Sequence, residues 1–148
     1  MRQVSVYLGL DSVVENEVLF IAVGTPPFED GSADMKYVLK VAETIAENMQ
    51  SYKLLVTKST VPVGTAKRIQ AMVQSVLTKR GVQIPFDVAS NPEFLREGSA
   101  IDDCMKTNRV VVGVSSEKAE NLLRRLYEPF LKGGQPFLVM DPASSEMT

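Results

Sequence analysis

Two carboxylates four residues apart, Glu93 and Glu97, lie in the segment Ser90-Asn91-Pro92-Glu93-Phe94-Leu95-Arg96-Glu97-Gly98, directly after the strand-like run Phe86-Asp87-Val88-Ala89. On a helix, positions i and i+4 stack on one face, so a helix beginning at Glu93 would bring both acids together. Two acids held close are costly unless something cationic or protic lies between them, which marks the segment as a candidate for acid–base chemistry. Histidine is absent from the sequence. Proton transfer here therefore falls to Asp, Glu, Lys, Cys, Tyr or ordered water. Each acid taken alone also suits a solvated helix face, favoured by Arg96 and the helix N-terminus.

The elements that must position these residues alternate along the chain. Val18 to Val23 is a continuous apolar run of strand length, which suits a strand covered on both faces. It stops at Gly24-Thr25-Pro26-Pro27, because proline restricts the residue before it and cannot continue a ladder. Helical spacing of Val38, Val41, Ala42, Ile45 and Met49 predicts a helix capped by Ser32 or Asp34. Leu54 to Thr57 is a second strand ending in Lys58-Ser59-Thr60-Val61-Pro62. Ile69, Met72, Val73, Val76 and Leu77 predict the next helix, with Gly81 past its end. After the strand Phe86 to Ala89, a short helix is expected over Glu97 to Met105. A strand follows at Val110 to Val114, then a helix capped by Ser115 or Ser116 with Ala119, Leu122, Leu123, Leu126 and Phe130 on one face. Phe137 to Met140 is a last strand before a polar tail. Residues 1–10 alternate weakly through Val4, Val6 and Leu8, and Asp11 to Asn16 suits either a helical turn or a loop.

This alternation predicts an α/β fold with a mainly parallel sheet and flanking helices. Three successive strands then end in polar, proline-stiffened segments at a shared carboxyl edge, where open α/β sheets bind ligands. The hydroxyls of Thr25, Ser59 and Thr60 can there hold ribose, phosphate or water. Thr-Pro, Val-Pro and Asn-Pro pairs also act as plain strand stoppers and turns, so their common edge, not any one of them, carries the functional reading.

At 148 residues, with 45% hydrophobic and 23% charged residues and a net charge of -2, the chain has the size and composition of one globular domain. Its interspersed charges leave no basic stripe for nucleic acid. No apolar run approaches the ~20 residues of a membrane helix. The single cysteine, Cys104, allows no internal disulfide and fits a cytoplasmic setting. With no cationic frame around it, Cys104 reads as a buried or partly buried structural thiol. Lys106 and Arg109 flank a strand and read as surface charges that could also reach an anion.

Val23-Gly24-Thr25-Pro26-Pro27, Glu29 to Asp34, Lys58-Ser59-Thr60-Val61-Pro62-Val63-Gly64-Thr65, the Ser90 to Gly98 segment, and Arg109-Val110-Val111-Val112-Gly113 occur in the order and spacing found in the UDP-glucose/GDP-mannose dehydrogenase family. The chain resembles that family from about Val18 onward, most nearly its members that oxidise UDP-glucose. The resemblance implies a Rossmann-type NAD-binding domain and oxidation of a nucleotide sugar's primary alcohol to a carboxylate, with two hydride transfers to NAD. It implies that Val23, Gly24, Thr25 and Pro26 contact NAD, with Ser59, Thr60 and Val61 near the nicotinamide end. Thr60 resembles a threonine that helps hold a catalytic water, and Glu93 the carboxylate that acts as base toward it. Phe94, Leu95, Arg96 and Glu97, with Glu93, resemble the segment along the sugar nucleotide, Glu97 also lying close to NAD. No metal ligand is implied.

The sequence also departs from the family pattern. No G-x-G-x-x-G occurs, and Gly9 does not replace it. The family's lysine-asparagine helix and nucleophilic cysteine have no counterpart, and Cys104 does not match the latter. The expectation is one α/β domain over 1–148, the latter part of an NAD-binding domain, lacking the glycine unit, the linking helix and the sugar-binding domain and incomplete as a catalyst. The alternatives are a GDP-mannose or UDP-N-acetylmannosamine dehydrogenase, or a non-catalytic α/β module that pairs through an open sheet edge as a homo-oligomer.

Overall fold

The computed structural model describes residues 11–29, 31, 33–96 and 98–148. The weak alternation over Val4 to Leu8, the Ser32 cap and the carboxylate of Glu97 lie outside the described residues. Among the described residues a short helix, α1 (Asp11–Glu15), precedes five strands: β1 (Val18–Ile21), β2 (Lys53–Thr57), β3 (Phe86–Ser90), β4 (Val110–Gly113) and β5 (Phe137–Met140). Helices α2 (Lys36–Asn48) and α3 (Thr65–Lys79) connect the first three strands. A six-residue α4 (Ala100–Met105) precedes β4, α5 (Glu117–Tyr127) follows it, and α6 (Pro142–Glu146) closes the chain.

The strands lie side by side in the order β1-β2-β3-β4-β5. β1 pairs with β2 and β2 with β3 in parallel, in registers that set Ile21 beside Thr57 and Thr57 beside Ser90. β4 departs from this pattern. It meets β3 antiparallel through Ser90 and Gly113, then pairs with β5 in parallel. A parallel crossover needs a helix that buries a stripe against the sheet. α4 buries no residue, so the chain returns from the carboxyl end of β3 without crossing.

Every residue of β2 is buried. Its alternate side chains feed two cores: Leu55 joins α2, α3, Ile21 and Val88 on one face, while Leu54 and Val56 join Ala89, Val110, Val112, Ala119 and Leu123 on the other. The burial expected for β1 holds only in part. It is an edge strand among the described residues, and Phe20 stays 40% exposed beside a buried Ile21. Lys53 opens β2 and is 1% exposed, a burial that its residue type does not suggest. Its ammonium donates to the carbonyls of Val14 and Asn16 at 3.0 and 2.8 Å, which ties α1 to the sheet.

The helix ends follow their local chemistry. Asp34 Oδ1 accepts from the Lys36 amide at 2.9 Å. Ser116 Oγ accepts from the Ala119 amide at 3.1 Å, so of the two serines expected at α5 it is Ser116 that caps. Gly81 takes a positive φ of 68° just past α3. No helix among the described residues is long and apolar enough to cross a membrane.

Candidate functional site

Because β1, β2 and β3 run parallel and adjacent, the three strand-end segments emerge at one edge, and hydrogen bonds stitch them together. The Lys58 amide donates to the Ile21 carbonyl at 3.0 Å and the Asn91 amide to the Thr57 carbonyl at 2.9 Å. Ser59 Oγ donates to the Val23 carbonyl at 2.6 Å and Thr25 Oγ1 to the Thr60 carbonyl at 3.0 Å. Thr25 and Ser59 thus spend their hydroxyl protons on backbone and keep only lone pairs for a ligand. Among the described residues the exposed Thr60 has no partner for its hydroxyl, which can donate as well as accept.

The loop after Thr60 is held in turn. Pro62 O accepts from both the amide and the hydroxyl of Thr65. Gly64 takes a φ of 93°, a left-handed conformation that L side chains rarely adopt. On the α2 side, the Asp34 amide donates to the Pro26 carbonyl at 2.8 Å and folds Pro26 to Met35 back on itself. Between this loop and Thr60-Val61 lies an open groove of about 900 Å³, with Phe28, Met35, Leu39, Thr60, Val61 and Arg68 along its walls. Val23 to Pro26 and Ser59 run along the edge outside it. A separate hollow near Glu17 and Glu117 contains none of the expected site residues, and its Lys118 pairs with Glu17 at 3.7 Å.

The Glu93 segment differs from expectation. Residues 91–96 are irregular and the helix begins only at Ala100, so no helix starts at Glu93. Local bonds explain this. The half-buried Glu93 turns its Oε2 onto the Leu95 amide at 2.6 Å, a side-chain bond that competes with a helical turn. Asp103 takes the Arg96 amide at 2.9 Å and its guanidinium at 3.1 and 2.8 Å. Phe94 and Leu95 are each 39% exposed, and the Arg109 guanidinium lies 4.3 Å from the Phe94 ring centre. Cys104 is exposed, which corrects the expectation of a buried thiol. α4 is too short to bury a face, so its cysteine stays at the surface. Lys106 lies 3.9 Å from Asp102.

The bonds from Arg96 hold the Asp103 carboxyl at about 2, below its ordinary 3.8. A depressed folded-state value means that the tie is fully present above pH 3.8 and is lost as pH falls through about 2. The guanidinium resonance of Arg96 is accordingly expected to stay in its bonded position at pH 4 and to shift only on further acidification. In Asp103→Asn that transition should vanish. The pair is exposed, so global stability should barely follow it.

Beneath the edge lies a cluster that sequence reading missed. Asn91 is 1% exposed. Its Nδ2 donates to the Val111 carbonyl at 2.8 Å, and its Oδ1 accepts from Lys58 Nζ at 3.2 Å and from the Tyr127 hydroxyl. Burial lowers the Lys58 pKa, opposed by Cys104 and Glu93. Burial also pushes Tyr127 up to about 12. The Lys58–Asn91 bond brings the Thr60 loop to the Glu93 segment, since each partner lies two residues from its acid or hydroxyl. The Asn-Pro pair had signalled only a turn, and no local pattern links Tyr127 to it from 36 positions away.

The cofactor implied by the resemblance is NAD, and the edge fits one end of it. An apolar groove with a free hydroxyl at its lip suits a ring and its ribose, whereas no glycine loop is present in the sequence for the pyrophosphate.

Comparison with known proteins identifies the family of the domain. Residues 7–131 match the NAD-binding domain of the UDP-glucose/GDP-mannose dehydrogenase family. A UDP-glucose 6-dehydrogenase of Pseudomonas aeruginosa is 44% identical over 138 residues, which are 93% of this chain and 30% of that protein. The structure of a UDP-glucose dehydrogenase from Pyrobaculum islandicum superposes with a TM-score of 0.81 at 40% identity, covering 93% of this chain and 31% of that one. A GDP-mannose dehydrogenase structure from P. aeruginosa gives 0.80 at 28% identity, covering 93% and 32%. The chain thus spans about a third of the length of these relatives.

Proposed function

The chain belongs to the UDP-glucose/GDP-mannose dehydrogenase family, and on that premise we propose that its residues form one α/β domain carrying the cofactor edge of an enzyme that oxidises UDP-glucose to UDP-glucuronate in the cytoplasm. The observation that carries this reading is the stitched carboxyl edge, in which the Thr60 loop is bonded to Val23-Gly24-Thr25 and, through Lys58 and Asn91, to the Glu93 segment. NAD, when bound, takes up the hydride. Val23 to Pro26, Ser59 and Val61 would hold it along the edge, and the resemblance assigns Glu97 to it as well. Thr60, with an uncommitted hydroxyl, holds a water that Glu93 deprotonates. Phe94 and Leu95 lie along the nucleotide sugar, and Arg96 orients them through Asp103. Glu93 can serve as base because it is half-buried and, among the described residues, holds only one backbone bond.

UDP-glucose is favoured over GDP-mannose by identity, 44% and 40% against 28%, since the folds themselves are equally alike. Titrating the labelled chain with NAD tests the reading. Amide resonances of Val23 to Thr25 and Ser59 to Val61 are expected to move, and shifts confined to other regions would reject the assignment. The chain alone is expected to yield no sustained NADH from NAD and UDP-glucose. Turnover that disappears in Glu93→Gln would overturn that incompleteness. A second reading, self-pairing, is favoured by the exposed Phe20 on β1 and by Leu138 and Val139, 41% and 38% exposed, on β5, the opposite edge strand among the described residues. Sedimentation at rising concentration should then show dimers, and a monomer throughout would exclude it.

A further inference from the structure

The last residues, which read as a polar tail, form a brace across the site. Asp141 caps α6 by accepting from the Ser144 amide at 3.0 Å. Ser145 is 0% exposed, and its hydroxyl donates to the Ser90 carbonyl at 3.4 Å. Gly113 leaves no room for a side chain against Ser145 and Pro142. From this fixed base the Glu146 carboxylate reaches the start of α3. Its Oε2 accepts from the Gly64 amide and its Oε1 from the Ala66 amide, each at 2.6 Å. These two N–H groups have no partner within the helix, and Gly64 offers no side chain to cap it.

We propose that Glu146 is a positioning residue for the cofactor edge: by gripping Gly64 and Ala66 it fixes the loop bearing Thr60 and Val61, while Ser145 beside it fixes the strand end leading to Glu93. The inference deepens the reading above and rests on it for the identity of the ligand. The loop is anchored at Ser59 and Thr60 by bonds to β1's extension, and at Pro62 by Thr65. Glu146 supplies its outer anchor, at the end of the loop away from the Lys58–Asn91 bond. The carboxylate also matches the partial positive charge of a helix N-terminus. One five-residue helix therefore touches both halves of the site. It sets their separation through side-chain bonds that span 80 and 82 positions of sequence.

The test compares Glu146→Ala, Glu146→Gln and Glu146→Asp in the chain, with circular dichroism to verify folding. In Glu146→Ala, amide exchange at Gly64 and Ala66 should quicken at least tenfold, the Thr60 and Val61 amide resonances should move, and NAD should bind about tenfold more weakly. Exchange in β2 and β3 should stay unchanged. Glu146→Gln retains one acceptor and should fall between alanine and the parent, and Glu146→Asp, one methylene short, should resemble alanine. Formate added to Glu146→Ala should slow Gly64 exchange and bring Thr60 and Val61 back toward their parent positions, a response that general loosening would not give. Faster exchange at Gly64 with Thr60 and Val61 unmoved would reduce Glu146 to a helix cap and overturn the proposal. If only Glu146→Ala fails to fold, the glutamine variant decides by the same readouts. A parent chain that does not bind NAD would sink the cofactor reading alone, because the Thr60 and Val61 resonances judge the positioning role independently.

Discussion

Replacing Asn91 by alanine is expected to cost about 3 kcal/mol of folding stability, more than its small size suggests. The side chain is buried and satisfies three other groups: the Val111 carbonyl, the Tyr127 hydroxyl and the Lys58 ammonium. A buried polar group left without its partner costs about 1–3 kcal/mol and a charged one more, while entering water repays part. Urea unfolding gives the number. Lys58→Met should recover part of the loss in the Asn91→Ala background, because it removes the stranded charge while keeping the stem's volume. The double-mutant cycle should therefore be clearly non-additive. A loss below about 1 kcal/mol would mean that water already serves these groups. The consequence reaches the site: without Asn91 the Lys58 end of the Thr60 loop and the Glu93 segment lose their direct bond.

Gly113→Ala should be nearly as damaging, for a steric reason. A Cβ there would stand 2.6 Å from Ser145 Cβ, 2.7 Å from Pro142 Cα and 3.0 Å from the Asp141 carbonyl oxygen. Two of the three are backbone atoms, so no rotamer change relieves the clash. Either α6 moves away from the end of β4 or β4 shifts against β3. Overpacking of this kind costs roughly 1–3 kcal/mol. In a domain of this size that lowers the melting temperature by about 3–10 °C. Displacing α6 also withdraws Glu146 from Gly64 and Ala66, so amide exchange at those two positions should rise with the loss of stability. Unchanged melting and exchange would show that the backbone absorbs the methyl group, contrary to the packing described.

The sequence by itself determined the elements and the edge. Apolar runs at 18–23, 54–57, 110–114 and 137–140, helical spacing after 36, 65 and 117, and proline-stiffened strand ends are local signals. Burial of most strands and of the longer helix faces obeys them directly, which is why residue type and spacing suffice to place the three site segments at one edge. The ordered motifs carried the family in the same way. Tertiary structure decided what depends on partners far away in sequence. Whether a helix starts at Glu93 turned on Asp103 drawing Arg96 back and on Glu93 bonding Leu95. Whether Cys104 is buried turned on α4 having no face to cover. Lys58, Asn91 and Tyr127 form one buried cluster because β2, β3 and α5 converge, and Glu146 reaches the start of α3 because α6 wedges against Gly113. None of these bonds repeats with a local period. Their cost or gain exists only once the chain has closed around them, so residue type and spacing carry no trace of them.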